Sequence, residues 1–131
     1  MNPASIDIKN MLEADSSLAL EFGVDLFISK EPPKPNDCVT LYDTPSFPPE
    51  RALDVDNIIY NSSVQVRVRD MDYILGMALA RNIMTSLHAR AQEAWNGTLY
   101  TVIQATGEPA LLHRDENDRV LIIINLNLKR R

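Results

Sequence analysis

Residues 57–94 read NIIYNSSVQVRVRDMDYILGMALARNIMTSLHARAQEA, and within them a period of two residues gives way to a helical one. Over 57–69, Ile58, Tyr60, Ser62, Val64, Val66 and Val68 alternate with Asn61, Ser63, Gln65, Arg67 and Arg69. Successive side chains of a strand point to opposite faces, so this stretch predicts a strand with one face in a core and the other toward solvent. From Asp70 the period changes, and Ile74, Leu75, Ala78, Leu79, Ile83, Leu87 and Ala91 fall on one side of a helix that extends to about Ala94. Asp70 is placed to cap that helix, Asp72 complements its positive end, and Asn96-Gly97 ends it. Gly76 lies inside, where glycine costs about 1 kcal/mol relative to alanine, so close approach of another backbone is expected there.

Toward the N terminus, residues 5–20 carry Ile8, Met11, Leu12 and Ala19 at helical spacing and predict a first helix. Two short strands follow over 24–28 and 38–43, joined by a turn stiffened by Pro32, Pro33 and Pro35. Residues 44–56 hold Pro45, Pro48 and Pro49 without sustained periodicity and read as a long loop. Toward the C terminus, 99–104 reads as a strand, Gly107-Glu108-Pro109 as a turn, 115–118 as a polar reversal and 119–128 as the last strand. Lys129, Arg130 and Arg131 then read as a solvated basic end. This order predicts an α+β fold: one mostly antiparallel β-sheet of four to five strands with two α-helices packed on one face, in a single domain over 1–131.

Within the last strand, Val120-Leu121-Ile122-Ile123-Ile124 is apolar on both faces. Either it is a central strand that its own chain covers on both sides, or a neighbouring copy covers the second face.

Thirteen basic against eighteen acidic side chains give a net charge of −5. Such a surface repels phosphate and argues against tight, sequence-reading DNA binding, although an acidic wall lets DNA slide past without sticking. Cys38 stands alone, which excludes an intrachain disulfide and fits a reducing compartment. The first twenty residues contain Asp7, Glu13 and Asp15 and lack a basic start before an apolar run, so no signal peptide is expected. No apolar run is long enough to span a bilayer, so no membrane partner is expected. The triplets Asn61-Ser62-Ser63 and Asn96-Gly97-Thr98 then read as coincidental glycosylation patterns.

Catalytic signals are sparse. Cys38 with His88 or His113 would supply a thiol and a base, but no local signature surrounds Cys38 and its alternation fits ordinary burial. His113-Arg114-Asp115 spells the tripeptide of a kinase catalytic loop, yet Val120 stands where the asparagine is required. Arg114 and Arg119 interrupt the cluster of His113, Asp115, Glu116 and Asp118, which reads as a solvated turn and not as a cation loop. Phosphate-cradling glycines and zinc-binding cysteine pairs are absent, so no catalytic residue, metal or cofactor is expected.

The strand Val64-Gln65-Val66-Arg67-Val68-Arg69, Asp72-Tyr73 opening a long helix, Gly107-Glu108-Pro109, and Asp115-Glu116-Asn117-Asp118-Arg119 before a final strand together resemble the tail terminator, or tail completion, proteins of long-tailed bacteriophages, also called minor capsid proteins. The resemblance covers roughly residues 22–128. Asp70 departs from it, since similar sequences often have glycine between strand and helix. The resemblance implies a structural virion protein, made in the host bacterial cytoplasm, that forms a six-membered ring of its own copies on the head-proximal end of the tail tube. It would stop tube polymerisation, offer a surface to the head-tail connector protein, and let DNA pass through without sequence-specific binding. Another head-tail component, a stopper or adaptor, a small hydrolase using Cys38, and a monomeric regulatory or binding module unrelated to phage are the alternatives.

Rings use heterologous contacts, so each subunit needs two unlike patches. The candidates are the 44–56 loop, with Phe47, Glu50, Arg51, Leu53 and Asp54, and the strand face bearing Gln65, Arg67 and Arg69. Phe47 and Leu53 would lie exposed in a loop without a partner. For Arg67 and Arg69 the plainer reading is an exposed, solvated strand face.

Overall fold

The computed structural model describes residues 1–51 and 58–131. Its elements run α1 (Ala4–Ala14), β1 (Leu26–Ile28), β2 (Cys38–Thr44), β3 (Glu50–Arg51), β4 (Ile58–Asp70), α2 (Tyr73–Leu87), β5 (Arg90–Trp95), β6 (Thr98–Ala105), β7 (Ala110–Arg114) and β8 (Val120–Arg130). The strands form one sheet in the order β1-β2-β4-β8-β6-β5, with β3 added beside β4 and β7 beside β8. The α+β class and the two helices are as expected, but the mostly antiparallel sheet of four to five strands is corrected to a larger, mixed and curled sheet. It is mixed because β1 runs parallel to β2, and register shifts at Tyr100/Val102 and Leu111/His113 bend it.

Within β4 the expected alternation holds over 63–68, with the valines inward and Ser63, Gln65 and Arg67 opposite. Val64, Val66 and Val68 enter the core beside Val39 and Leu41 of β2 and Ile122, Ile124 and Leu126 of β8. Both helices close the same face, α1 with Ile8, Met11 and Leu12 and α2 with Ala80, Ile83 and Leu87. Arg130, expected in a solvated end, is buried instead: its Nη1 donates to the Asn2 carbonyl at 2.7 Å and its Nε to Ser62 Oγ at 2.9 Å. The same guanidinium reaches Tyr100 Oη at 3.4 Å, and that hydroxyl donates to the buried carboxylate of Asp7, which also accepts from Asn96 Nδ2 at 2.8 Å. Burial, and then the bond to Asp7, push the Tyr100 phenol well above its ordinary range, so it remains a donor.

Both helices are shorter than their periodicity suggests. α1 stops at Ala14, where the Asp15 carboxylate turns to the amide and hydroxyl of Ser17, at 3.1 and 2.6 Å. α2 stops at Leu87, and 90–95 is not helix but strand β5. Ala89 takes a φ of 66° and gives its amide to Ile103 at 2.8 Å, and Asn96-Gly97, at φ 49° and 78°, is the tight turn joining β5 to β6. The cap of α2 is Asp72, not Asp70: Asp72 Oδ1 accepts from Ile74 at 2.8 Å, while Asp70 accepts the amide of Asp72 at 2.7 Å.

The helical stripe is also displaced. Gly76, Ala80, Ile83 and Leu87 face the core, whereas Ile74 and Leu75, expected in it, are 70% and 62% exposed. At Gly76 the close neighbours are side chains, not a backbone: an added Cβ would meet Asp70 Cβ at 3.0 Å and Ile122 Cδ1 at 3.1 Å. The apolar run 120–124 is a central strand, with β4 on one side and β7 on the other, while β6 takes over from β7 along residues 126–130. Strand β7 falls in a stretch, ALLHR, without alternation, and was not expected.

Candidate functional site

The sheet face turned away from the helices is divided in two. Along β4 it presents Ser63, Gln65, Arg67 and Arg69, along β2 Cys38, Thr40 and Tyr42, and along β8 Leu121, Ile123, Asn125 and Asn127. At the Arg69 end, the segment between β1 and β2 is strapped across it. Arg69 donates from Nη2 to the Pro35 carbonyl at 2.7 Å and from Nε to that of Asn36 at 3.2 Å, and its Nη1 lies 3.6 Å from Glu31. Arg119 donates from Nη1 to the Pro33 carbonyl at 2.7 Å and from Nε to Asp115 at 2.8 Å. Burial opposes ionisation of Asp115, but the amides of Arg119 and Asn117 and the Arg119 guanidinium outweigh it and hold the carboxyl below its ordinary range.

Under this cover Cys38, Thr40 and Leu121 are buried, and so is Arg69, which is only 3% exposed. Arg69 is therefore not the solvated or partner-facing cation expected from the alternation. Burial pushes the Cys38 thiol up, against the opposing pull of Arg69. Cys38 lies across from Arg69, Arg69 from Leu121, and Leu121 from His113, so three strand spacings, about 14 Å, separate the thiol from that imidazole. His88, the other base considered, caps the end of α2 and accepts the amide of Ala105 at 3.0 Å through Nδ1. The sheet therefore pairs neither histidine with Cys38. The Asp115 carboxylate expected in a solvated turn is taken by Arg119 and its own turn, and among the described residues no acidic and histidine side chains gather as a metal-holding group.

The other half of the face is open and is built from amides, hydroxyls and one stacked cation. Ser63 Oγ donates to Asn127 at 2.8 Å and Gln65 Nε2 to Asn125 at 3.1 Å. Arg67 Nε donates to Gln65 Oε1 at 2.8 Å, and its guanidinium lies 4.7 Å over the Tyr42 ring. Beyond them an open groove of about 500 Å³ is walled by Phe47, Pro48, Val102, Gln104 and Lys129. Phe47 is 74% exposed, and Glu50 meets Lys129 at 3.5 Å. Glu50 and Arg51 are not loop but the short strand β3, paired with Ile59 and Ile58. Leu53 and Asp54 lie outside the described residues.

Of the expected surface, then, Phe47, Glu50, Gln65 and Arg67 share one exposed face, Arg51 stands exposed at its end, and Arg69 is withdrawn. Sequence reading missed Tyr42, Asn125 and Asn127, whose only signal was their alternation with core residues in β2 and β8. A surface of neutral amides, an aromatic groove and a stacked arginine offers hydrogen bonds and apolar contact, the chemistry of a protein interface.

The sequence profile of the family described as "Bacteriophage tail terminator protein" matches residues 15–130. The chain belongs to this family. It is thereby a structural component of the phage virion, as the resemblance in its strand and turn motifs implied. Curated protein sequences show no match to it. A chain of the solved structure described as "Virion of native gene transfer agent (GTA) particle" is similar in fold, with a TM-score of 0.68 and 14% identity, covering 98% of this chain and 94% of that one.

Proposed function

We propose that this chain acts as one domain over 1–131 and assembles with copies of itself into a ring, six-membered, that caps the head-proximal end of the tail tube. The ring matches the tube subunit on one side and lacks the polymerising surface on the other, so tube growth ends by geometry and no bond is made or broken. The free side receives the head-tail connector protein. DNA passes through the centre, where the chain's net charge of −5 disfavours sticking to phosphate. Membership of the tail terminator family over residues 15–130 is the observation that carries this reading.

The open half-face with Phe47, Glu50, Arg51, Gln65 and Arg67 is the surface offered to the tube or connector. Its support is the combination of an exposed aromatic with hydrogen-bonding groups, which a lone subunit leaves in water. Electron microscopy of purified tail tubes mixed with the protein tests the function: tubes are expected to gain a ring at one end and to stop elongating, and Phe47→Ala to lower the capped fraction while remaining folded. Binding to the portal complex with tube ends left bare would assign the chain to a stopper or adaptor role instead.

A further inference from the structure

The ring requires two unlike patches on each subunit, and the sheet carries a pair of them at two of its edges, β1 and β7, that the sequence does not single out. β1 ends the sheet on one side; on the far side β8 carries β6 and then β5 along residues 126–130 and β7 along residues 120–123, and among the described residues no strand flanks the outer side of β1 or of β7. The two edges lie on the same rows of the sheet: Leu26 is across from Val39, Val39 from Val68, Val68 from Ile122, and Ile122 from Leu111. They are also opposite in sense, because β1 is parallel to β2 while three antiparallel steps lead from β2 to β7.

Each edge is rimmed by exposed apolar side chains. On the outer side of β1, the turn 21–24 uses the outward amide and carbonyl of Leu26, which bond to Glu21 and Gly23 at 3.2 and 2.9 Å. That turn presents Phe22 and Val24, 49% and 55% exposed. On the other edge, Leu111 and Leu112 are 46% and 43% exposed, and Met71, Ile74 and Leu75 at the start of α2 are 51%, 70% and 62% exposed. Gly76 faces Ile122, the residue across from Leu111, so this helix start lies over β8, one strand in from the β7 edge.

Resting on the ring reading above, we propose that neighbouring copies meet edge to edge, with Phe22 and Val24 of one subunit seated against the α2 start and β7 of the next. The occupant is a second copy because turning one subunit about an axis parallel to the strands brings its β1 edge to its neighbour's β7 edge with no slide along the strands. Since the two rims differ, the contact is heterologous and repeats until the circle closes. The helix-start rim exposes on the order of 500 Å² of side-chain surface, within the range of the largest apolar patch on a typical monomer, which is often functional. A standard interface needs about 800 Å² per partner, so this rim supplies more than half of one side.

Two sets of variants, each mixed with purified tail tubes, test the assignment. Ile74→Glu/Leu75→Glu alters only exposed side chains and adds negative charge to a first turn that has none, which a helix start favours, so folding is retained. It is expected to lose ring formation on tube ends, and Phe22→Glu to do the same. Val24→Cys/Leu112→Cys on a Cys38→Ser background, treated with a short bis-maleimide, is expected to give a covalent ladder up to the subunit number of the ring, which neither single cysteine gives. Folded glutamate variants that cap tubes as well as the unaltered protein, or capped tubes that yield no ladder, would overturn the edge-to-edge contact and leave the ring standing. Unaltered protein that never caps tubes would overturn the ring and this contact with it.

Discussion

Replacing Gly76 by alanine sets two effects of similar size against each other. In a helix interior alanine is favoured over glycine by about 1 kcal/mol, so an unobstructed site would gain that much. Here the new Cβ would stand 3.0 Å from Asp70 Cβ and 3.1 Å from Ile122 Cδ1. The isoleucine methyl ends a flexible side chain, but Ile122 is fully buried and has little room to turn. Asp70 Cβ is tied to the backbone of β4 and yields only if the strand or helix shifts. Forcing a methyl into a packed site costs about 1–3 kcal/mol, so steric cost is expected to exceed the propensity gain, with a net loss of about 1 kcal/mol. In a domain of this size that lowers the melting temperature by roughly 2–5 °C. Urea unfolding followed by circular dichroism measures it, with Gly107→Ala as the control, because nothing lies within 4 Å of a Cβ at that position. A higher midpoint for Gly76→Ala than for the unaltered protein would refute the account of why α2 has glycine at its closest point to the sheet.

Tyr100→Phe removes the hydroxyl that bridges Asp7 and Arg130, leaving one buried carboxylate oxygen with its partner gone; a loss of about 2–3 kcal/mol in urea unfolding is expected, and a loss under about 1 kcal/mol would contradict the bridge. The carboxyl of Asp70 is raised above its ordinary range, first by burial and then by the charges of Asp37 and Asp72. An acid raised on folding takes up protons in the native state, so its ionisation destabilises the fold above the native pKa and the penalty disappears as pH falls below the unfolded value. Asp70→Asn, whose amide oxygen still accepts from Asp72, is therefore expected to stabilise the protein at neutral pH and to lose that advantage in acid; equal unfolding midpoints for the two proteins from pH 4 to 8 would refute it.

Strand β4 was legible, apart from the burial of Arg69, because a half-buried strand prints its two faces directly into the sequence as alternation. In the apolar run of β8 two apolar faces left a central strand and a face covered by a neighbouring copy as equal readings, and the strand order places the run inside the sheet. α2 shows where pattern stops being enough. Ala91, Gln92, Glu93 and Ala94 are good helix formers, yet pairing with β6 through the Asn96-Gly97 turn makes them a strand, because tertiary hydrogen bonds outweigh propensities of a few tenths of a kcal/mol each. Ile74 and Leu75 match the helical period, but it does not say which stripe meets the sheet, and Gly76 is the residue small enough to do so.

By itself, the sequence determined the α+β class, the half-buried strand leading into a long helix, the acidic character and the resemblance to tail terminators, because these follow from local periodicity, composition and short motifs. Only the tertiary structure decided that Arg69 and Arg119 are spent on holding a proline segment across the sheet, that Gln65 and Arg67 stay open beside Phe47, and that Phe22 and Leu111 occupy the same sheet rows on opposite edges. Each of these depends on which strands lie side by side, and strand order is set by contacts between residues far apart in the chain, which no local pattern encodes.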